Sequence, residues 1–227
     1  MAINLICFFL ALVWTLVASA LAVLLFMLKD QWGHWIHRAF GNVWCRLMGI
    51  RVTVHGLENV PRSQALVFAP NHESMFDIIV LASLPITFKW VSKMEVARIP
   101  ILGWGMKKMG CYIVRRDRSE HDLNVMKEVE DGLRSGISVL IFPEGTRTRT
   151  GELLPFKKGA FKTAQNARVP LMPVAIRGTR AIAPPGKIPS QRGHKVTVTF
   201  GKPMLVPPDA DIARVTEKFR TELMNML

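Results

Sequence analysis

Cysteine and acidic residues are scarce in this chain. Cys7, Cys45 and Cys111 are odd in number and scattered. That excludes a disulfide framework and fits a catalytic domain held in a reducing compartment. No Cys-x-x-Cys pair or Cys/His cluster occurs, so no zinc site is expected. Asp and Glu total 17 against 30 Lys and Arg, a formal net charge of +13. Such an excess favours polyanionic partners: nucleic acid, an anionic membrane surface or phosphate-bearing substrates. Nucleotide and hydrolase signatures are missing too. Gly103-x-Gly105 lacks the third glycine of a dinucleotide fingerprint, and no Walker A or Gly-x-Ser-x-Gly sequence is present. There is no internal repeat and no low-complexity stretch. With 49% hydrophobic residues in 227, the chain is not disordered and has room for one sizeable core.

Charge is absent altogether from residues 3–28, "INLICFFLALVWTLVASALAVLLFML". As a helix this run is roughly 39 Å long, against a hydrocarbon core of about 30 Å. Ala18-Ser19-Ala20 resembles a signal-peptide cleavage site, but no basic region precedes it and the run is too long for a signal peptide. A membrane anchor is the expected role. Basic residues begin at Lys29, which places the following domain on the cytoplasmic face by the positive-inside bias, at the inner membrane if the source is bacterial. The next stretch, 31–50, carries Trp32, Trp35, Ile36, Phe40, Val43, Trp44 and Leu47 near helical spacing, among His34, His37, Arg38 and Arg46. It is expected to be an amphipathic helix with tryptophans in the headgroup zone, or else an ordinary domain-packing helix. Whether 3–28 spans the bilayer or enters one leaflet as a hairpin with 31–50 stays open. Residues 1–50 therefore form the expected anchor and 51–227 the catalytic domain.

From residue 51 the patterns alternate. Strands are expected at 51–56, 65–70, 86–92, 111–116, 138–143, 171–176 and 194–201, and helices from Ser74, over 119–136, over 159–169, and from Asp209 or Asp211 to Leu227. This predicts an α/β domain with a mostly parallel or mixed sheet flanked by helices. Ligands in such sheets bind beyond the strand ends.

Two groups of residues could carry chemistry there. In "NHESMFD", His72 lies where a strand gives way to a helix, and Asp77 follows five residues later. Such a turn can bring them together, with Asp77 fixing the His72 tautomer and leaving Nε2 free as a base. Ser74-x-x-Asp77 is also capping-box spacing, so Asp77 could simply fasten a helix start. Basic residues form the second group: Lys93, Arg115, Arg116, Arg147, Lys157 and Lys158. Several stand at strand ends near helix starts, where phosphates bind, although any one of them alone could be a solvated surface charge.

Taken together, "NHESMFD", "GCYIVRR" (110–116), "FPEGTRT" and "VPLMPVAI" (169–176) resemble the four ordered blocks of the glycerolipid acyltransferase family, specifically the 1-acylglycerol-3-phosphate acyltransferases. The likeness covers about residues 50–205. Arg115 departs from it, standing where an aspartate is common. The resemblance implies acyl transfer from acyl-CoA or acyl-carrier protein to the sn-2 hydroxyl of lysophosphatidic acid at a lipid membrane, without metal or redox cofactor. It makes His72 the base and Asp77 its orienter. Arg116, Glu144, Gly145, Thr146 and Arg147 shape the phosphate site with Lys93 and Lys157, and Glu144 is expected to hold the neighbouring basic groups in place. Another lysolipid acceptor, such as a lyso-ornithine lipid, and a non-catalytic lipid-binding role are the rival readings. Nucleic-acid binding would explain the charge but not the uncharged run.

Overall fold

The computed structural model describes residues 2–28, 33–117, 119–189 and 192–227. Lys29, Gln31 and Trp32 of the sequence reading lie outside the described residues. Two helices, α1 (Ala2–Leu28) and α2 (Gly33–Leu47), precede the first strand. Seven strands follow: β1 (Arg51–His55), β2 (Val67–Pro70), β3 (Lys89–Lys93), β4 (Tyr112–Val114), β5 (Val139–Leu140), β6 (Leu171–Arg177) and β7 (Lys195–Phe200). They make one mixed sheet in the order β1-β7-β6-β2-β5-β3-β4. Its one antiparallel pairing among the described residues joins β6 to β7. The expected mixed α/β architecture is what the chain adopts.

Alternation along the central strands creates two cores. In β2, Val67 and Ala69 point to one face while Phe68 joins Leu66 on the other. In β6, Leu171 and Ala175 take the first face, and Met172, Val174 and Ile176 the second. The first face is covered by α6 (Glu120–Arg134), α7 (Gly159–Ala167) and α9 (Ile212–Met226), through Leu133, Phe161 and Phe219 among others. The second is covered by α2 and α3 (Phe76–Ser83), through Trp44, Met48, Phe76 and Val80. Strands apolar on both faces are what a sheet buried between two helical layers requires. Asp211 caps α9, accepting a hydrogen bond from the Ala213 N–H at 2.8 Å.

The amphipathic helix forms, but its apolar side faces protein. Trp44 is 2% exposed and its indole N–H donates to Thr15 Oγ1 at 2.9 Å. It is a core tryptophan, not a headgroup one, because the side it occupies packs on α3 and α1. Helix α1 turns small residues inward, with Ala11, Ala18, Ser19 and Ala22 buried, and large ones outward, among them Ile6, Phe9, Leu16 and Leu24.

Two further differences have local causes. The strand expected over 138–143 is only two residues long. Ile141 still donates to Phe68 O, but Gly145 N–H then closes a turn onto Phe142 O, and Pro143 has no N–H to continue a ladder. Short helices also form where none was read: α4 (Met94–Ala97), α5 (Leu102–Lys108) and α8 (Thr179–Ile182). Gly103 and Gly105 belong to α5 and serve packing. A Cβ on Gly103 would lie 1.9 Å from Ala97 O, and Gly105 rests on Ser19 of α1.

Helices α2 and α3 cross as closely as backbones allow at Gly41, where a Cβ would meet Ser83 N at 2.4 Å and Ile79 O at 2.7 Å. Those atoms are backbone and cannot move aside cheaply. Gly41→Ala should destabilise the protein by about 1–3 kcal/mol, the usual cost of overpacking. Thermal unfolding in detergent measures it, and an unchanged midpoint would mean that the crossing is looser than this.

Candidate active site

Chain leaving β2 is fixed first by Asn71. Its amide Nδ2 donates to Ile176 O at 2.9 Å, and Ile176 N–H donates back to Oδ1 at 2.7 Å. His72 follows, and α3 begins four residues later with Asp77 in its first turn. The turn brings the two side chains together: His72 Nδ1 lies 2.7 Å from Asp77 Oδ2. The same oxygen accepts the Glu73 N–H at 2.8 Å and the Ser74 N–H at 2.9 Å. Asp77 is 0% exposed. The capping and orienting roles therefore coincide. Only half of the capping box forms, because Ser74 Oγ takes the Phe76 N–H and donates to Ala183 O. A carboxylate facing Nδ1 holds the hydrogen there and leaves Nε2 as the basic nitrogen.

The imidazole is held on its flat side too. His72 stacks on Phe142 with ring centroids 3.8 Å apart and planes 18° from parallel, and Trp90 stacks beyond Phe142. Neither aromatic residue was legible as part of the site. The sequence placed Phe142 in a strand, and only the turn after β5 lays it over the ring.

Glu144 departs from its expected role. It is buried, and both carboxylate oxygens accept backbone N–H groups, from His72 at 2.6 Å and from Leu154 at 3.0 Å. It ties loops together rather than holding the basic side chains, because the turn at Gly145 directs it inward. Thr148 N–H adds a bond to His72 O at 2.9 Å. Burial pushes the Glu144 carboxyl up to about 7, against the pull of these two donors. Behind this loop Asn71, Glu73, Glu144 and Thr148 help line a cavity of about 200 Å³.

Four of the expected cations converge around the same turn. Lys93 ends β3 and Arg116 follows β4. The Lys93 ammonium is driven below its usual range by burial first, then by the charge of Arg116, with Arg147 and Lys157 adding to it against Glu95. The Arg116 guanidinium donates to Gly145 O. Asp122 of α6 anchors this arm by accepting the N–H groups of Arg115 and Arg116 at 2.6 and 2.7 Å. Gly145 has φ 71°, and a Cβ there would meet Lys157 Cε and Nζ at 2.9 Å, so glycine is what lets Lys157 cross the turn. Thr146 and Arg147 are exposed at its tip. Arg115 and Lys158 are also exposed, and among the described residues no contact draws either of them into this group. Among the described residues no three His, Cys, Asp or Glu side chains converge as metal ligands. The arrangement offers an oriented imidazole base beside an anion-attracting cluster.

Comparison with known proteins places the chain in a family. The acyltransferase family model matches residues 51–177. The chloroplastic 1-acyl-sn-glycerol-3-phosphate acyltransferase LPAT1 of Arabidopsis thaliana is 35% identical over 182 residues, 78% of this chain and 51% of the relative. A 1-acyl-sn-glycerol-3-phosphate acyltransferase of Saccharomyces cerevisiae is 32% identical over 206 residues, 88% of this chain and 67% of the relative. The chain thus spans about half the length of the chloroplastic relatives it matches. The crystal structure of the 1-acyl-sn-glycerophosphate acyltransferase PlsC from Thermotoga maritima shares the fold, with a TM-score of 0.81 at 22% identity over 99% of this chain and 94% of the other. The chain belongs to the acyltransferase family.

Glu144→Gln would turn an amide N–H₂ toward one of the two backbone donors and leave that donor unpaired, at a cost of about 1–3 kcal/mol. The native carboxyl ionises less readily folded than unfolded. Its contribution to stability is therefore full below the ordinary value of 4.5 and lost as pH rises through about 7. The gap in Tm between wild type and Glu144→Gln should narrow from about pH 5 to about pH 8. A constant gap would show that Glu144 does not titrate in this range.

Proposed function

We propose that this protein transfers a fatty acyl chain from an acyl thioester, acyl-CoA or acyl-carrier protein, to the sn-2 hydroxyl of lysophosphatidic acid, giving phosphatidic acid. The observation that carries the reading is the oriented His72–Asp77 pair beside Lys93, Arg116, Arg147 and Lys157, in a chain whose relatives bear that name. His72 Nε2 takes the proton of the acceptor hydroxyl as its oxygen attacks the thioester carbonyl. The tetrahedral intermediate collapses, the C–S bond breaks, and the thiolate recovers the proton from His72. A neutral imidazole cannot ionise an alcohol beforehand, so removal of the proton accompanies attack. The four cations hold the acceptor phosphate, with Arg147 at the exposed tip of the turn gripping two of its oxygens. A lyso-ornithine acceptor, which has no phosphate, would leave that cluster unmatched.

Attachment to the membrane is part of the same proposal, with residues 1–50 as anchor, 51–227 as acyltransferase domain, and that domain on the cytoplasmic face. Ile3–Leu25 is long and apolar enough to cross a bilayer by length and composition. Yet Ala11 belongs to the domain core, Phe8 and Trp14 pack against it, Thr15 is bonded to Trp44, and Ser19 touches Gly105. A helix clasped along most of its length cannot cross alone without drawing α2 and α5 into hydrocarbon. Entry into one leaflet, large side chains outward, satisfies both its composition and its packing.

The test is full-length protein in lipid vesicles, with a panel of lysolipids that includes lyso-ornithine lipid, and with acyl-CoA beside acyl-carrier protein. Phosphatidic acid should form, and His72→Ala should lower kcat by about 10²–10⁴-fold while the protein stays folded. Activity of His72→Ala within about tenfold of wild type would remove the base from the mechanism.

Arg147→Ala should lower kcat/KM for the acceptor about ten- to a hundredfold, the worth of one charge-assisted phosphate contact. Arg147→Lys should recover only part, since an ammonium cannot reproduce a two-oxygen grip. A rise confined to the donor KM would instead assign Arg147 to the phosphates of the thioester carrier.

A further inference from the structure

Asp77 presents two oxygens to its surroundings, and they are served very differently. Oδ2 receives His72, Glu73 N–H and Ser74 N–H, all from its own loop. Oδ1 receives, among the described contacts, only the hydroxyl of Thr179. Thr179 comes from a distant part of the chain, is 0% exposed, and lies beyond the end of the family match at residue 177. We infer that Thr179 is a positioning residue of the active site, its hydroxyl fixing the Asp77 carboxylate and through it the His72 ring. The inference rests on the proposed roles of His72 and Asp77.

The backbone delivers Thr179 to that point with little freedom. Gly178 follows β6 at φ 96°, and a Cβ there would lie 2.4 Å from Lys195 O. Only glycine lets β6 stay paired to β7 and still turn into α8. Helix α8 is then fastened to the His72 loop at both ends. Arg180 N–H donates to Glu73 Oε1 at 3.3 Å, and Ser74 Oγ donates to Ala183 O at 2.7 Å.

Counting hydrogens fixes the direction of the contact. Thr179 Oγ1 faces two carboxyl oxygens, Asp77 Oδ1 and Glu73 Oε1, the latter at 3.0 Å. A hydroxyl has one hydrogen to give. Glu73 Oε1 already takes the Arg180 N–H, whereas Asp77 Oδ1 has no second donor among the described contacts, so the hydrogen goes to Asp77. Glu73 Oε1 stays within reach of the hydroxyl oxygen as its second neighbour, while His72 Nδ1 meets Asp77 from the other side. Without the hydroxyl, Asp77 holds a buried charged oxygen with no donor. The carboxylate is then positioned from its Oδ2 side alone, and its plane, with the line from Oδ2 to Nδ1, is less closely fixed.

A role in positioning separates from one in packing or substrate binding. Thr179→Val keeps the shape and removes the donor. It should lower kcat about ten- to a hundredfold and leave both KM values within about twofold. Thr179→Ser should return kcat to within about threefold of wild type.

The proposal fails if Thr179→Val keeps kcat within about threefold. It fails if Thr179→Ser is as slow as Thr179→Val, which would make the methyl group the part that matters. It fails if KM moves and kcat does not. Should Thr179→Val not fold, Thr179→Cys, a weak donor, replaces it with the same expectations. His72→Ala marks the floor of the assay. A second readout does not depend on turnover: the low-field proton resonance of His72 Nδ1–H, whose position should change in the valine or cysteine variant. An inactive wild type with an altered resonance would refute the acyltransfer reading alone, whereas an unaltered resonance refutes the role of Thr179.

Discussion

A carboxylate with no exposure to water must find its hydrogen-bond donors within the protein or give up its charge. Asp77 finds four, and collecting them organises the centre of the molecule. Two are backbone N–H groups at the start of α3, which bind the helix to its own entry loop. One is the ring that would do the chemistry. The fourth arrives from beyond β6. The chain therefore cannot place His72 without first bringing β2, α3, β6 and α8 together. Asn71 secures the same junction a few residues earlier by exchanging two hydrogen bonds with Ile176. A buried polar network of this kind is costly when incomplete and rigid when complete, which suits a base that must point in one direction.

Sheet order explains how the other half of the site assembles. β2, β5, β3 and β4 are consecutive and mutually parallel. Their C-terminal ends therefore lie side by side along one edge of the sheet. His72 follows β2, the turn from Phe142 to Arg147 follows β5, Lys93 ends β3, and Arg116 follows β4. One sheet edge thus carries base, turn and cations in spatial sequence, although in the chain they are scattered from 72 to 157. The cations repel one another: burial lowers the Lys93 ammonium first, and the charges of Arg116, Arg147 and Lys157 lower it further. Glu144 does not relieve this, since its oxygens are committed to backbone. A bound dianion would relieve it, which is why the proposed reading puts the acceptor phosphate among these four like charges.

Legibility in the sequence followed chemistry more than geometry. His72, Asp77 and the arginines stood out because each is a polar residue where a short apolar run stops. The α/β alternation was visible for the same reason: strands buried on both faces leave long apolar words such as "LMPVAI". What stayed hidden depended on the direction in which a side chain turns. The order of charges in "PEGTR" suggests that Glu144 holds the neighbouring basic groups, yet past a left-handed Gly145 it lies buried with both oxygens on backbone N–H groups while Arg147 is exposed. Trp44 was read by its aromatic character, while its position on α2 faces α3 and Thr15 rather than a surface. Phe142 became a wall of the site only because β5 stops two residues before it. Helices α4, α5 and α8 are four, seven and four residues long, too short for a periodic pattern to show.

The N-terminal helix links this chemistry to the surface on which the substrate would reside. A helix meant to cross a bilayer alone has no need of a stripe of alanines and hydroxyls on one side. α1 has one, and the stripe is what allows α2 and α5 to approach it closely: Gly105 against Ser19, and Trp44 hydrogen-bonded to Thr15. The opposite side carries most of its bulky residues, Ile6, Phe9, Leu16 and Leu24 among them, which gain nothing from water. On the proposed reading those residues lie among acyl chains, and the domain is held rigidly beside them instead of hanging from a flexible tether. The depth of α1 then fixes the height of the strand ends above the hydrocarbon. A lysolipid has its tail in that layer and its hydroxyl and phosphate at the boundary. Base and cations mounted on one sheet edge, at a height set by a clasped helix, would meet the acceptor there without extracting it, while a water-soluble thioester approaches from the other side.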